Sequence, residues 1–188
     1  MNVPIDISSV ILKTERLTLR PWRETDLDDF FAYASMEGVG EMCGWAPHRD
    51  KAETMAALQK YIDGKKTFAI VCRDKVIGSL GIENYRESAF PKYKNLKCRE
   101  LSFVISKDYW GQGLIPEAVR EVIRYLFEDI GLDAICCGHF VRNSRSARVQ
   151  EKCGFHTDSY GVYTPKNGVP EEEKRNILLR EEYEAQKT

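Results

Sequence analysis

Glu100, Ser102, Val104 and Ser106 occupy alternate positions of one short stretch, interleaved with Leu101, Phe103 and Ile105. Read as a strand, the stretch puts its apolar residues on one face and a carboxylate and two hydroxyls on the other. A carboxylate can take up a proton, and hydroxyls can hold one. Just beyond comes Trp110-Gly111-Gln112-Gly113, ahead of a helical pattern. A glycine turn between strand and helix aims several unpaired backbone N–H groups at one point, as a pyrophosphate requires. Further along, Asn143-Ser144-Arg145-Ser146 opens a second, shorter helix that ends at Gly154-Phe155. The set implies an enzyme that holds a phosphorylated carrier along one side and does chemistry at its far end.

The elements that must position these groups follow from periodicity. After the glycine turn, Pro116 suits a first helical position. Ala118, Val119, Val122, Ile123, Leu126, Phe127 and Ile130 then recur at helical spacing, and Gly131 ends the helix. Leu17 and Leu19 alternate with polar neighbours in a first strand that stops at Pro21. Thr25 or Asp26 caps a helix carrying Leu27, Phe30, Phe31 and Ala34 on one face. Residues 51–63 read as a second helix ending at Gly64. Thr67–Cys72 and Val76–Ile82 read as a hairpin joined by Arg73-Asp74-Lys75. The order predicts an α/β chain with a mixed sheet and helices on both faces.

Composition narrows the function. At 188 residues, with 43% hydrophobic and 30% charged residues, the chain reads as one domain spanning 1–188. A formal charge of −1 argues against nucleic acid as partner. No apolar run reaches membrane-spanning length and no signal pattern opens the chain, so the expected compartment is the cytoplasm. The six cysteines lack Cys-x-x-Cys spacing and read as reduced, buried thiols. Cys153 with His156 offers a nucleophile and a base, but the two straddle a helix-ending glycine. The three histidines lack ligand spacing, so no metal is expected. The Gly-Gln-Gly turn lacks the third glycine and later acid of a dinucleotide fingerprint, and no Gly-Lys-Ser/Thr follows it.

The motifs in order resemble the GCN5-related N-acetyltransferase (GNAT) superfamily, and within it the branch that includes the ribosomal-protein N-terminal (alanine/serine) acetyltransferases. Thr14-Glu15-Arg16-Leu17-Thr18-Leu19-Arg20-Pro21 followed by Asp26-Leu27 is similar to that branch's first strand and helix. Gly78-Ser79-Leu80-Gly81 is similar to its third strand, and Tyr109-Trp110-Gly111-Gln112-Gly113 with Glu117-Ala118 is the most family-like string. Asn143-x-x-Ser146 with Glu151-Lys152-Cys153-Gly154-Phe155 is nearly as specific.

The resemblance implies a mostly antiparallel central sheet in which two neighbouring parallel strands splay apart, with acetyl-CoA lying in the resulting V. The pyrophosphate is then expected on backbone N–H groups of Gly111, Gln112, Gly113, Leu114 and Ile115. The pantetheine arm is expected along Phe103, Val104 and Ser106, using backbone groups of Val104 and Ser106, with Asn143 holding it from the other side. Capping of the short helix is an alternative and compatible role for Asn143. Arg148 and Lys152 are candidates to reach the carrier's phosphates, or simply a solvated helix face.

The implied chemistry is acetyl transfer from a thioester to an amine. Glu100 is the candidate base, directly or through a water, with a structural ion pair to Arg99 or a neighbour as the alternative. The Val104 N–H is the candidate oxyanion donor. Many relatives carry a tyrosine acid where this chain has Gln150, and an amide has no useful acidity. Ser146 is the substitute, orienting the thiolate or a water, with a second capping hydroxyl as its alternative role. The acceptor is an amine. Family analogy favours a protein or peptide α-amine, with small-molecule amines and a silent acetyl-CoA-binding module as rivals. Trp22, Met42, Trp45, Tyr85 and Phe90 lie in segments that could wall the acceptor site, core packing being the plainer reading. Relatives are often dimers, so a homodimer belongs among the expected partners.

Overall fold

Among the described residues the chain forms eight strands and five α-helices. In the computed structural model, which describes residues 1–165 and 168–187, they run β1 (Leu12–Lys13), β2 (Thr18–Pro21), α1 (Leu27–Ala34), α2 (Lys51–Gly64), β3 (Thr67–Cys72), β4 (Lys75–Glu83), β5 (Cys98–Ile105), α3 (Leu114–Arg124), β6 (Ala134–Phe140), α4 (Ser144–Lys152), β7 (His156–Tyr163), β8 (Glu171–Leu179) and α5 (Arg180–Ala185). The strands form a mixed, mostly antiparallel sheet with one parallel pair. Lys166, Asn167 and Thr188 lie outside the described residues. The residues divide into two compact units.

The first unit comprises Ile5–Gly81 and Phe103–Ala118. Here β1, β2, β3 and β4 pair antiparallel in sequence order, with Leu19 opposite Ile70 and Phe68 opposite Leu80. The β3–β4 hairpin turns on two residues, Arg73 and Asp74, both with positive φ (47° and 66°), the handedness that matches strand twist. The first helix buries Phe30, Tyr33 and Ala34. Tyr33, rather than the expected Phe31, completes its inner face, because Phe31 is only half-buried. Asp26 precedes α1 but gives it no side-chain cap. Its carboxylate is taken by Arg20, at 2.7 and 2.8 Å, and by the Arg23 N–H. The second helix does have a cap, Asp50 accepting from the Glu53 N–H at 2.8 Å.

The second unit comprises Met1–Pro4, Ile82–Ser102 and the chain from Val119 onward. Its strand order is β5-β6-β8-β7, with β5 parallel to β6 and the other pairs antiparallel. The inner face of α3 and its continuation, Val119, Val122, Ile123, Leu126 and Phe127, is at most 2% exposed. Each such side chain contributes about 2 kcal/mol by leaving water. Pro116 is the third residue of α3 rather than the first. It sits within the first turn, where a missing N–H breaks no helical bond. The helix closes through a π-helical turn over Tyr125–Asp129, with Ile130 N–H reaching back to the Tyr125 carbonyl at 3.1 Å.

Candidate active site

In the first unit, the glycine turn is both open and clamped. Gly111 and Gly113 each take φ of +76°, a conformation that costs side-chain-bearing residues strain. A Cβ on Gly111 would meet nothing within 4 Å, so the space over the turn is clear. The helix starts immediately afterwards at Leu114, and the first N–H groups of a helix have no partner within it. This is a site shaped for an anion.

The turn is held from the start of the chain. Glu117 accepts from Thr14 Oγ1 at 2.5 Å, Arg16 N–H at 2.9 Å and Arg16 Nε at 2.7 Å. Arg16 also donates to the Gln112 carbonyl at 3.0 Å, and the Gln112 side chain is turned back onto the Asp108 carbonyl. Burial pushes the Glu117 carboxyl up, but the Thr14 hydroxyl, the Arg16 N–H and the Arg16 guanidinium outweigh it and hold the group below its ordinary value.

Backbone groups near the end of β5 are partly committed. The Ser106 N–H donates to the Ile77 carbonyl at 2.8 Å, and the side chain is buried with Oγ on Met36 Sδ at 3.7 Å. This bond to β4 therefore uses the Ser106 N–H that was expected to meet a carrier arm. The Ile105 carbonyl is capped by Trp110 Nε1 at 3.1 Å. Phe103 and Val104 are half-buried. At Gly78 a Cβ would collide with the Val104 carbonyl oxygen and lie 3.0 Å from Ile105 Cα, so only glycine lets the strands approach this closely.

In the second unit, β5 and β6 pair over three rungs only, from Cys98 opposite Ala134 to Glu100 opposite Cys136. At the next residue the Leu101 carbonyl takes the Cys137 thiol, at 3.4 Å, in place of a ladder bond. The β5–β6 ladder ends at Glu100. Glu100 thus stands on the last paired rung, and Arg86 meets its two oxygens at 2.8 and 3.2 Å. The same guanidinium reaches Glu173 at 2.5 and 3.1 Å, and Arg175 adds a bond to Glu173 at 3.0 Å. The ion pair expected at Glu100 exists, with Arg86 as partner; Arg99 points instead to the Val3 carbonyl and Asn84. Opposing carboxylates and favourable hydrogen bonding outweigh burial and raise the Arg86 pKa.

At the start of α4, Asn143 Oδ1 caps the helix by accepting from the Ser146 N–H at 3.1 Å. Ser146 is half-buried, and Gln150 on the next turn is fully buried. Gln150 Nε2 donates to Ser146 Oγ at 3.1 Å and to the Gly138 carbonyl at 3.4 Å, while its Oε1 accepts from Asn176 Nδ2 at 2.6 Å.

Other candidates fall away. Cys153 is buried, which pushes its thiol up to about 11, and His156 faces Glu182 at 3.1 Å. They do not form a nucleophile and base. Trp22, Tyr85 and Phe90 are core residues, at most 5% exposed, and so do not wall an acceptor site. Met42 and Trp45 are half-buried, and Arg148 and Lys152 are exposed. Among the described residues no group of His, Cys, Asp or Glu side chains could hold a metal ion, and no helix is long and apolar enough to cross a membrane. Sequence reading missed Arg86, Glu173 and Asn176. The signal available was the polar run Glu171-Glu172-Glu173-Lys174-Arg175-Asn176 leading directly into the apolar Ile177-Leu178-Leu179.

Comparison with known proteins identifies the family and the fold. A family model described as an acetyltransferase (GNAT) domain matches residues 16–156. The chain is 28% identical over 183 residues to the probable N-acetyltransferase YjcK of Bacillus subtilis (strain 168), covering 90% of this chain and 97% of that protein. It is 35% identical over 96 residues to the FsC-acetyl coenzyme A-N(2)-transacetylase of Aspergillus fumigatus, covering 50% of this chain and 41% of that protein. Among solved structures, an acetyltransferase (GNAT family) from Bacillus anthracis matches with a TM-score of 0.79 and 22% identity, covering 92% of this chain and 99% of that one.

Proposed function

The chain belongs to the GNAT acetyltransferase family, and from that premise we propose that it transfers the acetyl group of acetyl-CoA to the α-amine of a protein or peptide. Acetyl transfer from acetyl-CoA to amines is the chemistry of the family. The acceptor class and the residue roles are our reading.

The observation that carries it is the open glycine turn at the start of α3, pinned by Arg16 and Glu117. On this reading the pyrophosphate takes the N–H groups of Gly111, Gln112, Gly113, Leu114 and Ile115. There two negative phosphates meet the positive end of a helix. The pantetheine arm runs along Phe103 and Val104, with Ser106 contributing packing in place of its committed N–H. Asn143 serves the arm as well as its helix.

In the reaction, the amine nitrogen attacks the acetyl carbon and the C–N bond forms. The ammonium proton leaves to Glu100 through a water. Each Glu100 oxygen keeps a second lone pair beyond the one Arg86 uses. The Val104 N–H steadies the developing oxyanion. The C–S bond then breaks, and the thiolate departs with a hydrogen bond from the Ser146 hydroxyl before taking a proton from solvent. A protein α-amine is favoured over small-molecule amines by the resemblance of the Thr14–Pro21 segment to the ribosomal-protein branch.

The test is a thermal-shift titration with acetyl-CoA, with ATP and NAD as controls, followed by turnover on peptide N-termini and on polyamines. Ligand at a hundred times its dissociation constant adds about 2.7 kcal/mol of stability. An acetyl-CoA-specific shift and acetylated peptide are expected. A shift without transfer to any amine would favour a silent binding module, for which Gln150 in place of an acid is the one supporting feature.

A further inference from the structure

The orientation of the Gln150 amide is fixed by its neighbours' chemistry. The Gly138 carbonyl can only accept, so the Gln150 atom facing it is Nε2. The second proton on that nitrogen points to Ser146 Oγ, at 3.1 Å. The remaining amide atom, Oε1, is filled by Asn176 Nδ2 at 2.6 Å. Gln150 is fully buried and Asn176 is 5% exposed, so no water competes for these bonds. Asn176 adopts this orientation although it leaves its own Oδ1 buried without a hydrogen-bond partner among the described residues.

A hydroxyl that accepts from a fixed donor must send its own proton elsewhere. Ser146 has its N–H on Asn143 and its oxygen occupied by Gln150. We infer that Gln150, locked by Asn176, is a positioning residue that turns the Ser146 hydroxyl outward as a hydrogen-bond donor to the departing sulfur. The inference rests on the reading of Ser146 given above. It assigns a purpose to an amide standing where an acid was expected: Gln150 surrenders no proton, and it makes Ser146 a one-directional donor. Hydrogen bonds to a developing anion are worth more than those to a neutral group, so the direction matters most when the C–S bond breaks.

The experiment is a double-mutant cycle on turnover, with acetyl-CoA affinity measured in parallel. Gln150→Met keeps length and removes the donor, and Asn176→Ala releases the lock while leaving Gln150 in place. Each is expected to lower kcat, Gln150→Met by about tenfold, with acetyl-CoA affinity kept within about twofold. In a Ser146→Ala background both losses should vanish, because the group being oriented is gone. If Gln150→Met does not fold, the Asn176→Ala arm of the cycle decides. A loss that persists undiminished in the Ser146→Ala background would make Gln150 merely structural and overturn the inference. Ser146→Ala turning over at the wild-type rate would instead remove the reading of Ser146, and the inference with it, while leaving acetyl-CoA binding intact.

Discussion

Arg86 grips Glu100 across two hydrogen bonds, of 2.8 and 3.2 Å, and holds Glu173 with the same guanidinium. Glu100 and Glu173 side chains are 13% and 6% exposed, so Arg86, with Arg175 on Glu173, balances two carboxylates in a place with little water. The planar fork of arginine suits this double duty, and the point charge of lysine does not. Arg86→Met should therefore destabilise the protein by about 3 kcal/mol, since it leaves the carboxylates short of a partner. Arg86→Lys should recover only part of that. Urea unfolding of the three proteins measures both steps, and an Arg86→Met protein as stable as wild type would mean that the bridge contributes nothing net.

Glu100→Gln keeps the shape of the side chain while removing its basicity and one of the two acceptors that Arg86 uses. Turnover at neutral pH should fall by about a hundredfold, in keeping with the loss of a general base. Acetyl-CoA affinity should barely change. A wild-type pH–rate profile in this variant would exclude Glu100 from proton transfer.

Gly111 and Gly131 provide a matched pair. Their φ angles are +76° and +79°, and a Cβ on either would meet nothing within 4 Å. Valine at either position suffers the same backbone strain, about 1–2 kcal/mol. Only at Gly111 would the added side chain enter the space assigned to pyrophosphate. Gly111→Val should lose the acetyl-CoA thermal shift, whereas Gly131→Val should melt earlier and keep it. Equal shifts in both variants would remove the carrier from the turn.

Glu117 gives a pH signature. Its carboxyl is held below the ordinary value in the folded state. The stabilisation is therefore complete above that value, about 4.3, and is lost as pH falls through the lowered one. Glu117→Gln should be less stable than wild type by about 1 kcal/mol at pH 7. The gap should close as both proteins are acidified below pH 4. Melting curves across that range check the sign, and a gap that widens on acidification would contradict it.

Local chemistry was legible in the chain. The apolar repeat from Ala118 to Phe127 announced α3, because helical spacing has to bury one face. Gly111 and Gly113 announced the turn, because positive φ has a narrow choice of residues. Asn143 announced the start of α4 by its capping chemistry. Glu100 and Ser146 were selected by type, strand phase and family resemblance.

The partners of those residues were decided by tertiary structure. Glu100 meets Arg86 and not the adjacent Arg99, because neighbouring residues on a strand point to opposite faces and Arg99 leaves toward Val3 and Asn84. The Ser106 N–H is consumed by Ile77, a pairing fixed by how β4 and β5 lie together rather than by anything near Ser106 in the chain. Likewise Gln150 acquires its fixed direction from Gly138 and Asn176, on two other strands. A sequence determines which groups are available and which face of their own element they occupy. Which distant group completes each hydrogen bond depends on sheet order and register, and those emerge only when the whole core packs.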